Sequence, residues 1–305
     1  MPPEPSRQDL NLDALASRVA DELAHGDRLA TLESGGGTAP PGVAWVPEHA
    51  RLADFIDHTL LKPEATERDI EQLCAEALEH RFAAVCVNPA WVPRCVERLA
   101  GSNVRLATVA GFPLGAMETE LKAAEASRAG QAGAVEIDMV AAIGHIRSGH
   151  WSYVADDISA VVEAARAAGG ALVKVILESA TLTPIEVIKA SSVARGAGAH
   201  YVKTSTGFHA AGGATPDAVA LMRLVVGDSM GVKAAGGIRD CTAAFRMFAS
   251  GATRIGTSSG VAMARCVGTG PRRLADLLSA QPDHARACAT CSVTAGNAGA
   301  SSKRY

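Results

Sequence analysis

The sequence predicts a (β/α)8 barrel with additions at both ends. Two observations lead there. Eight short apolar runs of strand length recur over roughly 220 residues, each followed by a stretch patterned as a helix. No Asn-Gly or Asp-Gly hairpin turn joins consecutive runs, so the strands are expected to be parallel. A doubly wound sheet is the alternative. It usually stops at five or six strands, and no convincing G-x-G-x-x-G follows the first run.

Residues 1–50 read as an N-terminal extension. Leu12, Leu15, Val19 and Leu23 share one helical face, and the Gly/Pro-rich "ESGGGTAPPG" follows as a linker. The catalytic barrel is placed at 51–280. Its strand candidates are 55–59, 83–88, 105–111, 134–140, 172–178, 201–206, 231–236 and 254–259. Among the helices between them, one opens on Thr66 as N-cap with Glu67 and Asp69 in its first turn, which suits the helix dipole. The stretches "METELKAAEASRAG" and "TPIEVIKASSVARGAG" close on glycine, and "TPDAVALMRLVVGD" has Pro216 near its first position. Residues 281–305 are Ala/Ser/Thr/Gly-rich and are expected to be a flexible tail.

A core is affordable, with 48% hydrophobic residues but only 4% aromatics, so packing must rest on Ala, Val, Ile and Leu. The formal net charge of -3 gives no footprint for nucleic acid or an anionic membrane. No apolar run reaches the roughly 18 residues of a spanning helix, and the N-terminus lacks the pattern of a secretory signal. The seven cysteines are odd in number and scattered, which points to a reduced, cytoplasmic location. Cys288 and Cys291 form a lone C-x-x-C, which cannot close a four-ligand zinc site.

Only seven of the 29 basic residues are lysines, yet Lys174, Lys203 and Lys233 lie in apolar, strand-like runs. Arginine can pair with an acid but cannot act as an amine nucleophile. In a barrel, polar groups at the C-terminal ends of strands are the site candidates. Polar residues within or just after the apolar runs are therefore singled out, among them Asp57 and Thr59, Cys86, Asp138, Lys174, Lys203 and Lys233. Side-chain alternation places Glu136 and Asp138 on one face of their strand, with Val135, Ile137 and Met139 on the other. Lysines and carboxylate then converge in a partly dry space, where like charge and desolvation depress one amine's pKa. A neutral lysine attacks a carbonyl to form an imine, and an aspartate can carry the protons. A structural ion-pair network filling the barrel is the alternative.

Gly236, Gly237, Ser258 and Ser259 follow the seventh and eighth runs, and Gly207 follows the sixth. Backbone amides freed by glycine beside a helix N-terminus form an anion site, and barrels often bind phosphate there. Glycines alone would also suit tight turns.

The motifs "DHTLLKP", "VCVNP", "TVAGFPLG", "VEIDMV", "KVILE", "YVKTSTGF", "VKAAGGIR" and "RIGTSSG" stand in this order. Over roughly residues 51–270 the chain thereby resembles the deoxyribose-phosphate aldolases. The resemblance implies a class I aldolase without metal or cofactor. It cleaves 2-deoxy-D-ribose 5-phosphate reversibly to acetaldehyde and D-glyceraldehyde 3-phosphate. Matched motif by motif, it makes Lys203 the imine former, Lys233 the neighbour that depresses its pKa, and Asp138 the proton carrier. Lys174 becomes a supporting residue paired with a carboxylate, and Cys86 stands where the family can react with aldehyde by-products. Some members carry a phosphate-holding lysine at the position of Phe208; here the glycines, serines and Arg239 must serve. The partner implied is a small phosphorylated sugar, and a homo-oligomer is left open. Two rival readings remain: another Schiff-base barrel aldolase, transaldolase-like or acting on ketose phosphates, and a non-catalytic phosphosugar-binding barrel.

Overall fold

In the computed structural model, the described residues are 49–268 and 272–273. The N-terminal helix and linker, the Cys288/Cys291 pair and the tail lie outside them. Eight parallel strands close into a barrel in sequence order: β1 Ile56–Leu60, β2 Ala84–Val87, β3 Arg105–Ala110, β4 Glu136–Val140, β5 Leu172–Ile176, β6 Tyr201–Lys203, β7 Gly231–Ala235 and β8 Arg254–Thr257. Closure is made by β8 pairing with β1. The helices are α1 Glu67–His80, α2 Val92–Leu99, α3 Thr119–Gln131, α4 Ile143–Arg147, α5 Trp151–Ala167, α6 Pro184–Gly196, α7 Pro216–Val226, α8 Cys241–Ala249 and α9 Gly260–Val267. A two-residue antiparallel pair, His49–Ala50 with Arg272–Arg273, joins the two ends of the barrel segment. It has no counterpart in the sequence reading.

The apolar core fills the ring between strands and helices. Outward-facing Ile137, Val173, Val175, Val202 and Val232 are wholly buried there against helix residues such as Ile158, Val161 and Met222. Helix starts are fixed by side-chain caps. Thr66 and Asp69 form a reciprocal capping box at α1, and Thr183 and Glu186 form another at α6, with Pro184 in the first turn. Thr215 caps α7, and the Asp240 carboxylate accepts from Ala243 N at 2.8 Å at α8. In a βα unit these starts lie at the C-terminal ends of the strands, so the caps also set the rim of the site.

All but the first and fourth strands stop one to three residues earlier than the sequence suggests, and the sixth and eighth show why. The sixth ends at Lys203 because the following segment bends away to other partners. The Thr204 hydroxyl exchanges hydrogen bonds with the Ala235 backbone, and Thr206 N donates to the Glu178 carboxylate. The eighth ends at Thr257, whose Oγ1 accepts from Ser259 N at 3.0 Å and turns the chain. Among the described residues no helix is long and apolar enough to cross a membrane.

Candidate active site

The barrel register sets the site. Asp138 on β4 stands beside Lys174 on β5, and Lys203 on β6 stands beside Lys233 on β7. All four point inward and are buried. Asp138 Oδ2 accepts from both Lys203 Nζ and Lys233 Nζ, each at 2.7 Å. Its other oxygen accepts from Lys174 Nζ at 2.7 Å. Lys174 also pairs with Glu136 Oε2 at 2.6 Å. Lys233 donates to Asp57 Oδ2 as well, and Arg254 Nη1 lies 2.6 Å from Asp57 Oδ1. The sequence alternation argument therefore holds for Glu136, Asp138 and all three lysines, and the pairing of Lys174 with carboxylates is as expected.

Lys174, Lys203, Lys233 and Arg254 thus face Asp57, Glu136 and Asp138. Fully ionised, four cations meet three anions, and loss of one proton makes the buried set neutral. The three amines are not equivalent. Among the described residues, Lys174 and Lys233 each touch two carboxylates closely, whereas Lys203 touches only that of Asp138. Burial lowers all three, but the carboxylates outweigh it at Lys174 and at Lys233 and leave both above the ordinary lysine value. At Lys203 burial is the largest influence and wins. Asp138 opposes it and the Lys233 charge adds to it, so the amine sits below its ordinary value. The expected neighbour effect of Lys233 is present but second to desolvation. Burial would raise the carboxyls of Asp57 and Asp138, yet the surrounding cations hold both well below the usual range.

Gly256 on β8 lies in register with Asp57. A Cβ built there would stand 3.0 Å from Lys233 Cε, so the missing side chain makes room for that lysine. Cys86 lines an apolar wall with Leu61, Ala107 and Val109, packed by Phe112 and Phe208. The two rings meet edge to face, with centroids 5.2 Å apart. Burial, then the Asp138 charge, pushes the Cys86 thiol up to about 11. Thr59 spends its hydroxyl on Asp57 O at 2.8 Å and thus supports its own strand.

The candidate phosphate loops meet at the C-terminal ends of β6, β7 and β8. Gly207, Gly236 and Gly237 have φ of +86°, +88° and +78°, which a side chain rarely adopts. A Cβ on Gly236 would come within 3.4 Å of Gly207 Cα, so these two loops touch. Ser258 is exposed, and Ser259 is the N-cap of α9 with no side-chain bond to that helix. The α8 start, by contrast, already holds Asp240. The free helix start is thus the one at Ser259. Arg239 is exposed on the loop after Gly237.

The sequence reading missed Arg254 as an inward group, although it opens a strand whose other inward position is Gly256. It also missed the role of Glu178, which holds φ of +54° and anchors the "TST" loop by accepting from Thr206 N and Oγ1. No sequence spacing announces that bond. Among the described residues no group of three or more His, Cys, Asp or Glu is placed to hold a metal ion.

A family model described as DeoC/LacD family aldolase matches residues 52–267. A deoxyribose-phosphate aldolase of Mannheimia succiniciproducens is 53% identical over 212 residues, 70% of this chain and 93% of that protein. A solved structure from Coccidioides immitis superposes with a TM-score of 0.72 at 39% identity, covering 84% of this chain and 98% of that one. The deoxyribose phosphate aldolase of Aeropyrum pernix, described as having a tetrameric structure, superposes with a TM-score of 0.64 at 38% identity, covering 69% and 88%.

Proposed function

The chain belongs to the DeoC/LacD aldolase family, and from that premise we propose that it cleaves 2-deoxy-D-ribose 5-phosphate reversibly to D-glyceraldehyde 3-phosphate and acetaldehyde through an imine on Lys203. One observation carries the choice of Lys203: of the three lysines that meet Asp138 inside the barrel, only this one has its pKa lowered. The neutral amine attacks the C1 aldehyde of the open-chain sugar. Water leaves the carbinolamine as a protonated imine forms. A base then removes the C3 hydroxyl proton, the C2–C3 bond breaks, and its electron pair moves into the imine to give an enamine. Glyceraldehyde 3-phosphate departs, the enamine takes a proton at C2, and water releases acetaldehyde. Asp138, shared by Lys203 and Lys233, is suited to carry these protons.

The phosphate is read onto the backbone of Gly207, Gly236 and Gly237 and the start of α9 at Ser258 and Ser259. The apolar wall of Cys86, Leu61, Phe112 and Phe208 suits the carbon chain. Lys174, Asp57 and Thr59 act as supports. No metal or other cofactor enters this chemistry, because the protonated imine is itself the electron sink. A cytoplasmic location and a homo-oligomeric state go with the reading. The first is supported by the free thiols of Cys74, Cys86 and Cys95, the second by the tetramer reported for the Aeropyrum pernix relative. The residue divisions 1–50, 51–280 and 281–305 are retained as the domain proposal.

The test is a coupled assay of deoxyribose 5-phosphate cleavage in the presence of a chelator, with borohydride trapping in acetaldehyde. Activity that survives chelation, with the adduct mass on the Lys203 peptide, is expected. Label on Lys174 or Lys233 would overturn the assignment. Preference for a ketose phosphate would favour another aldolase, and binding without turnover would favour a binding barrel.

A further inference from the structure

The barrel has a second opening, at the N-terminal ends of its strands. A cavity of about 600 Å³ lies there, away from the loops that follow β6, β7 and β8. Four arginines line it: Arg51 ahead of β1, Arg81 between α1 and β2, Arg105 opening β3, and Arg254 opening β8. Ser102 and Asn103 join them, and among the described residues the lining holds one carboxylate, Asp54.

The arginines are unequally engaged. Arg51 pairs with Asp54. Arg254 is buried and committed to Asp57 and Glu136. Arg105 reaches Glu136 with one nitrogen at 3.1 Å but is half exposed, which leaves the rest of its fork open. Arg81 has no ion-pair partner among the described residues. Its backbone is left-handed, with φ of 53° and ψ of 52°, at the C-cap of α1. Glycine is the usual residue in that conformation, so the chain carries a guanidinium where backbone geometry favours none. Guanidinium forks match the oxygens of phosphate in pairs.

We propose that this mouth is a second anion-binding site, taking a phosphate-bearing small molecule, and that Arg254 links it to the lysine cluster. The link is a chain of contacts already described: Arg254 to Asp57, Asp57 to Lys233, and Lys233 to the oxygen of Asp138 that also holds Lys203. An anion against Arg254 draws its charge away from Asp57, and Asp57 then holds Lys233 more closely. The groups facing Lys203 are Asp138, Lys233 and Cys86. Added negative charge beneath them favours the ammonium form of Lys203, so occupancy slows imine formation at neutral pH.

The probe is inorganic pyrophosphate, titrated calorimetrically into the full chain. Ser259→Asp serves as background, to remove binding at the catalytic loops. That variant is expected to bind one pyrophosphate per chain. Adding Arg51→Ala and Arg81→Asn, the latter because asparagine tolerates left-handed backbone, should weaken binding about tenfold or more, ~1.4 kcal/mol. No binding in the background, or no weakening on removing the arginines, would overturn the site. The titration uses no sugar, so it is decided apart from the aldolase reading. The link is read as kcat at saturating substrate in otherwise wild-type chain. Pyrophosphate should lower it, while Arg51→Ala/Arg81→Asn keeps its basal kcat and KM and loses the response. A kcat indifferent to pyrophosphate, or a response that survives the arginine changes, would overturn the link.

Discussion

Lys203 and Lys233 share one oxygen: Asp138 Oδ2 lies 2.7 Å from each amine. Two ammonium groups on a single carboxylate oxygen repel one another. Lys233 is anchored by a second carboxylate, Asp57, and Lys203 is not. The proton is therefore given up more readily at Lys203, and Asp138 stays in contact with both the nucleophile and a permanent cation.

Lys233→Leu should raise the Lys203 pKa, because the repulsion goes and Asp138 is left to favour the Lys203 ammonium. The rise is only partial, since burial is the larger influence and remains. Each unit of pKa is about 1.4 kcal/mol, or tenfold in the neutral amine at pH 7. Imine formation, followed by trapping rate against pH, should fall at neutral pH by at least that factor and recover in part as pH is raised. A profile displaced downward without any shift along the pH axis would assign Lys233 to substrate contact instead.

Gly256→Ala tests the space that Lys233 needs. The new methyl would meet Lys233 Cε and Ala235 Cβ, both at 3.0 Å. The lysine must yield, which draws its amine from Asp57 or from Asp138. We expect kcat to fall on the order of tenfold, with the same direction of pH shift as in Lys233→Leu and a fold that still melts cooperatively. Wild-type kcat in this variant would show that the close approach has no bearing on the amine.

The strands and the inward lysines were legible because a parallel barrel strand alternates with period two, and a lysine between valines breaks the apolar rule at one position. Lys174 between Val173 and Val175 is the plainest case. Arg254 was not legible in this way. It stands at the first position of its strand, beside residues that also read as loop, and its partners Asp57 and Glu136 lie 197 and 118 residues away. Glu178 was hidden for a similar reason: its contact with Thr206 joins two loops, and loops carry no periodicity. The early end of β6 follows from that contact. The apolar wall of Phe112 and Phe208 likewise depends on two loops meeting over the barrel.

Ser259→Asp separates phosphate binding from folding. Aspartate is a good N-cap, and Ser259 makes no cap bond of its own, so the change should leave α9 as stable or more so. The same carboxylate would face the substrate phosphate. KM for deoxyribose 5-phosphate should rise on the order of tenfold or more, ~1.4 kcal/mol, while kcat/KM for unphosphorylated deoxyribose stays near wild type. Equal losses on both sugars would place the phosphate elsewhere.

Acid should unfold the protein through the same cluster that serves catalysis. Asp57, Asp138 and Glu136 are each held below their ordinary values of 3.8, 3.8 and 4.5, because the nearby cations outweigh the cost of burial. The native state therefore binds fewer protons than the unfolded chain at mildly acid pH. Their stabilisation is present above the unfolded values and is lost as pH falls below them towards the folded ones. The raised values of Lys174 and Lys233 act at the other end: their contribution is present below 10.5 and is lost as pH rises through the folded values. Lys203, being lowered, has the opposite sign, and its share of stability rises with pH up to 10.5. The urea midpoint should thus drop steeply between about pH 5 and 3, where only the carboxylates titrate. Glu136→Gln removes one of the three linked groups while keeping its shape. It should unfold more easily at pH 7, because Lys174 and Arg254 lose a partner, yet show a shallower midpoint-against-pH slope in the acid range. A slope equal to that of the wild type would mean that Glu136 titrates alike in the folded and unfolded chain, and that its contacts with Lys174 and Arg254 do not hold it ionised.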